Sequence, residues 1–118
     1  MSSYYVTTRV VLHKDDARTK EHSPDAEEYG TLHAEMHARG FRRFGRDDTD
    51  KLMYQLPPGE YFLNVEAESA GDARDKALER AKAAATEATS ADRYSVLCSG
   101  AEGRTWFRLK KIDKDPDA

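Results

Sequence analysis

Residues 4–13, YYVTTRVVLH, alternate with period two: Tyr4, Val6, Thr8, Val10 and Leu12 are the more apolar set, and Tyr5, Thr7, Arg9, Val11 and His13 the less apolar one. β-Branched and aromatic residues in this alternation predict a strand with one buried face, and put Arg9 and His13 on the other. The stretch KDDARTKEH, 14–22, has no apolar period and reads as a charged connection. A helix over 24–39 is predicted next, with Ser23 as N-cap, Pro24 at the first helical position and Asp25, Glu27 and Glu28 in the opening turns. Tyr29, Leu32, Met36 and the stem of Arg39 form its stripe, and Gly40 suits the residue just past its end. FRRFGR (41–46) and KLMYQL (51–56) flank the turn-like Asp47-Asp48-Thr49-Asp50, and read equally as a hairpin or as one long bulged strand. After Pro57-Pro58-Gly59, residues 60–67 alternate again, Tyr61, Leu63, Val65 and Ala67 against Phe62, Asn64 and Glu66. Ser69 and Asp72 resemble a capping box opening a second helix, 70–89, whose stripe is Ala73, Ala77, Ala81, Ala84 and Ala88 with Leu78 beside it. RYSVLCS (93–99) and RTWFRLK (104–110) make the last strands, and DKDPDA is polar.

The order β-α-β-(β)-β-α-β-β contains two split β-α-β halves. It predicts an α+β fold, the ferredoxin-like sandwich: an antiparallel sheet of four or five strands with both helices on one face. Leu12, Leu32, Met36, Leu63, Val65, Ala77, Ala81 and Val96 are its expected core. With 118 residues, the chain reads as one domain over 1–112 with a flexible tail at 113–118. Charged residues make up 35% and hydrophobic ones 38%, so the core is modest and the exterior heavily charged. A net charge of −3 speaks against a duplex-DNA binder and requires any nucleic-acid contact to come from a local basic patch. One cysteine, Cys98, excludes an internal disulfide framework and a multi-cysteine zinc site; it reads as a small buried hydrophobe. With no apolar run of membrane-spanning length and no signal-like start, no membrane association and a cytoplasmic location are expected.

The local basic patch exists. Arg39, Arg42, Arg43 and Arg46 fall within eight residues, with Phe41 and Phe44 between them and no acid. Guanidinium groups match phosphate and stack on bases, and interleaved aromatics are what readers of single-stranded RNA use. Trp106 with Arg104 and Arg108 on one face of the last strand, beside Lys110 and Lys111, is a second such cluster. Arginines also protect edge strands, and Asp47, Asp48 and Asp50 partly neutralise the first cluster. His33 and His37, four apart on the first helix, share a face and could hold a metal or handle a proton. Asp15 and Asp16, at the end of the first strand, could hold a divalent ion such as Mg²⁺, or be solvated loop charges. Phosphate-cradling glycine loops, the nucleophile elbow and the zinc-protease helix are all absent. Gly100 and Gly103 read as hairpin-turn residues.

With TLHAEMHARGFRR, YQLPPGEY, KAAATEA and YSVLCSGAEGRTWFRLK as its motifs, the chain from Tyr4 to Lys110 resembles the small bacterial proteins grouped with the antitoxin GhoS. The resemblance implies a ferredoxin-like fold similar to the CRISPR-associated Cas2 nucleases, and an endoribonuclease antitoxin of type V toxin–antitoxin systems that cleaves the messenger RNA of its toxin. Matching Met36 and the Gly40-Phe41 helix end puts the family's basic helix residue at His33, and the strand-end carboxylate of the nucleases at Asp15 or Asp16. This chain is longer, with 14–22 and 93–110 elaborated. Two functions follow. In one, the arginines hold single-stranded RNA while His33 or His37 moves a proton, with no cofactor beyond a Mg²⁺ at Asp15 and Asp16. In the other, the chain is a non-catalytic RNA- or protein-binding module using its open sheet face.

Overall fold

The computed structural model describes residues 2–100 and 109–118. In chain order its elements are β1 (Ser2–Leu12), α1 (Glu27–Ala38), β2 (Phe41–Arg42), β3 (Phe44–Arg46), β4 (Met53–Gln55), β5 (Glu60–Ala67), α2 (Ala70–Ala88), β6 (Tyr94–Ser99) and β7 (Lys110–Ile112). The main sheet has the order β2-β5-β1-β6 with every pairing antiparallel, and both helices pack on one of its faces. That is the ferredoxin-like arrangement, an α+β sandwich. β3, β4 and β7 form a second, three-stranded antiparallel sheet.

Alternation along β1 holds as expected: Val6, Thr8, Val10 and Leu12 are buried. They meet Tyr61, Leu63, Val65 and Ala67 of β5 beneath Tyr29, Leu32 and Met36 of α1. The face of α2 is alanine throughout, Ala73, Ala77, Ala81, Ala84 and Ala85, which allows that helix close to the sheet. Its start is capped as the sequence indicates, with Ser69 Oγ accepting the Asp72 N–H at 3.1 Å. Val96 and Cys98 are half-buried rather than buried, because β6 is paired only with β1 among the described strands. Among the described residues, no helix is long and apolar enough to cross a membrane.

Two further expectations need correction. α1 begins at Glu27 with Ala26 as its N-cap, not at Pro24. Ser23-Pro24-Asp25-Ala26 instead makes a turn closed by Ala26 N–H on Ser23 O at 2.9 Å, and Ser23 Oγ donates to Asp25 at 2.7 Å. The fixed φ of proline serves position two of that turn equally well. His13 is buried, not on the open face. The connection folds back to bridge His13 with Glu21, and His13 Nε2 lies 3.1 Å from Ser95 Oγ. Of the two readings of 41–56 the hairpin holds, in shortened form: the chain pairs with β5 at Phe41–Arg42, leaves the main sheet at Arg43, and then forms the β3–β4 hairpin. For the expected strand 104–110, residues 101–108 lie outside those described, and β7 pairs with β4.

Candidate functional site

The break at Arg43 distributes the arginine cluster. Phe41 drops into the core, packing edge-on against Tyr61 at a ring separation of 6.2 Å. Arg42, Phe44 and Arg46 go to the face of the main sheet that the helices leave open. There they line a groove of about 470 Å³ together with Lys51, Tyr5 of β1, and Phe62 and Asn64 of β5. Tyr5, Phe62 and Asn64 occupy the strand positions that the alternation leaves facing away from the core. Tyr5, Phe44 and three cations thus line the groove along with Asp47 and Asp48, while Phe62 is only 8% exposed. Arg46 donates to Lys51 O at 2.8 Å, and Asp47 Oδ1 accepts the Thr49 N–H at 2.7 Å, so the loop at the rim holds its own shape. Gly40, with φ of +97° and a Leu63 methyl 3.3 Å from any added Cβ, lets α1 turn tightly into β2 at the groove's edge.

Arg39 and Arg43 do not join them. Arg39 pairs along α1 with Glu35 at 2.7 Å. Arg43 turns to a second concavity, a cleft of about 250 Å³ at the end of the sheet whose lining includes Arg9, His22, His33 and Gln55. Its guanidinium is held by both oxygens of Asp117, and that pairing raises its pKa further. Arg42 donates to the carbonyls of His37 and Phe41 and lies 3.6 Å from Asp115.

The two histidines take separate partners. His33 Nδ1 is 2.6 Å from the hydroxyl of Tyr61. Burial, and next the charge of Arg43, lower the His33 pKa to about 4, while burial raises that of Tyr61. Both are therefore neutral at neutral pH. The bond between them is made by the phenol donating to Nδ1 in one ring tautomer, and by Nδ1–H donating to the phenol oxygen in the other. An imidazole kept neutral in this way holds no imidazolium proton to give as a general acid at neutral pH. His37 Nε2 instead meets Asp115 Oδ2 at 3.0 Å.

Asp15 and Asp16 also diverge. Asp15 closes its own loop, accepting from the hydroxyl of Thr19 and from the N–H groups of Thr19 and Lys20 at 3.0 Å; these bonds, led by the hydroxyl, keep its pKa low. Asp16 pairs with Arg93 at 2.7 Å. Among the described residues, no group of three or more His, Cys, Asp or Glu side chains is placed to hold a metal ion. Trp106 and Arg108, with Arg104, lie outside the described residues. Sequence reasoning missed Tyr5, Phe62 and Lys51 as groove residues; the parity of β1 and β5 was the signal that could have found the two rings. It also missed Asp115 and Asp117, for which no local signal exists. Comparison of the chain with family models, curated proteins and solved structures finds no match.

Proposed function

We propose that the chain is a non-catalytic binding module of ferredoxin-like fold that holds single-stranded RNA on the open face of its sheet. The observation that carries this reading is the groove itself, where Tyr5 and Phe44 stand beside Arg42, Arg46 and Lys51. Rings offer stacking surfaces to any base, at about 1–3 kcal/mol per base, and cations track the phosphates. The endoribonuclease activity that the resemblance to the GhoS group implies would also require proton transfer at the bound strand. Neither His33 nor His37 is among the described residues lining the groove, His33 is neutral and tied to Tyr61, and His37 is tied to Asp115. Those facts support binding over cleavage.

Titration of a fluorescein-labelled single-stranded RNA with the purified chain, with and without chelator, tests the reading. Binding should weaken with salt at a log–log slope of about −0.7 per phosphate contacted, and the RNA should stay intact. Phe44→Ala combined with Arg46→Ala should lower affinity about tenfold or more while circular dichroism stays unchanged. Salt-independent binding, or none at low ionic strength, overturns the reading; cleaved product would favour the endoribonuclease.

A further inference from the structure

Two of the arginines that an RNA phosphate would seek already hold carboxylates. Asp117 lays both oxygens on Arg43, Oδ2 2.7 Å from Nε and Oδ1 2.7 Å from Nη2. This planar fork is the arrangement guanidinium also makes with phosphate. Asp115 Oδ2 lies 3.0 Å from His37 Nε2 and 3.6 Å from Arg42 Nε. The other Asp115 oxygen accepts the Asp117 N–H at 2.9 Å, tying the two carboxylates into one unit. The Asp117–Arg43 pair is sheltered, with 9% and 17% of the side chains exposed.

We propose that Arg42, Arg43 and His37 form a phosphate site that Asp115 and Asp117 occupy in place of a ligand, so that a bound RNA strand must displace them. The inference rests on the strand-binding reading above, since Arg42 is part of the groove wall. The carboxylates act as a self-ligand. They present the same charge to the same donors, and the affinity for RNA is lowered by the fraction of molecules in which they stay bound. They also keep Arg43 compensated while no strand is present; a half-buried guanidinium left without its partner would be costly. A strand making several phosphate contacts can dislodge them, whereas a single phosphate competes poorly with two tethered carboxylates.

The direct test follows backbone amide resonances of the full chain during titration with a single-stranded RNA oligonucleotide. As the groove amides of Phe44 and Gly45 shift, the amides of Asp115 and Asp117 should shift with them. Movement in the groove without movement at Asp115 and Asp117 overturns the inference and leaves strand binding standing. The second test replaces both carboxylates, Asp115→Asn with Asp117→Asn, after circular dichroism confirms the fold. Affinity should rise at least fivefold, because the strand no longer has to displace two tethered carboxylates from Arg42, Arg43 and His37. Unchanged or weaker binding in this folded variant counts against displacement. Binding that appears only in the variant supports it. No binding by either form overturns both this inference and the strand-binding reading.

Discussion

The two faces of the main sheet use the same alternation for opposite ends. On the helix-covered face, Val6, Val10, Leu12 and Leu63 are each at most 1% exposed, packed in one core with Leu32 and Met36 of α1 and the alanines of α2. On the open face, Tyr5 and Leu97 are 43% and 65% exposed, and Arg42 and Phe44 line a groove. One face converts its side chains into stability. The other keeps rings and cations where a ligand can reach them. A substitution should therefore affect either the unfolding midpoint or ligand binding, according to the face on which it falls.

The largest effect should come from the covered face. Leu32→Ala removes a fully buried side chain and should cost about 2–5 kcal/mol, read as a lower urea midpoint with unchanged slope. A loss below about 1 kcal/mol would mean that the core can collapse around the gap, and would blur the contrast between faces.

A smaller, pH-dependent effect belongs to His33, at the cleft between these regions. Its pKa falls from the ordinary 6.5 to about 4 on folding. Between those values the unfolded chain takes up a proton that the folded chain refuses. Stability is therefore full above about pH 6.5 and is lost as pH falls toward 4. His33→Asn, whose amide can donate to or accept from the Tyr61 hydroxyl, should flatten this slope in denaturation midpoints taken across the window. Asp15, Asp25, Asp50 and Asp115, all held below 3.8, lose their contribution at lower pH, so the two effects separate. A variant whose midpoints fall as steeply as those of the parent chain would show that His33 is not the group responsible.

The smallest effect is expected from Leu97→Thr on the open face, within about 0.5 kcal/mol of the parent chain, since the side chain is mostly in water and threonine keeps the strand preference. A loss comparable to that at Leu32 would show that the open face also stabilises the fold.

The fold was largely legible because periods are local. Parity along 4–12 and, apart from the buried Phe62, along 60–67 identified the covered face, and Ser69 with Asp72 marked the start of α2. Where the sequence misled, a distant partner decided. His13 follows the strand's parity by number, yet the connection bridging it at Glu21 and Ser95 on β6 bury it. Ser23 and Pro24 carry the signature of a helix start, but the same residues also suit a turn, and nothing local distinguishes the two. The arginine cluster was visible as composition, whereas its division between groove and cleft depends on the chain changing sheets at Arg43. The carboxylates on Arg43 and Arg42 are more than seventy positions away along the chain, beyond the reach of any spacing argument.

The order of the main sheet also opposes the order of synthesis. β1 is made first but sits between β5 and β6, so it must wait for both before its backbone is paired on either side. At about 5–20 residues per second, that leaves Val6, Val10 and Leu12 without their sheet neighbours for several seconds on a growing chain. The nascent strand is thus a hydrophobic edge in search of a partner, and a chaperone that binds short extended apolar segments would find its target in β1 before β5 and β6 are made.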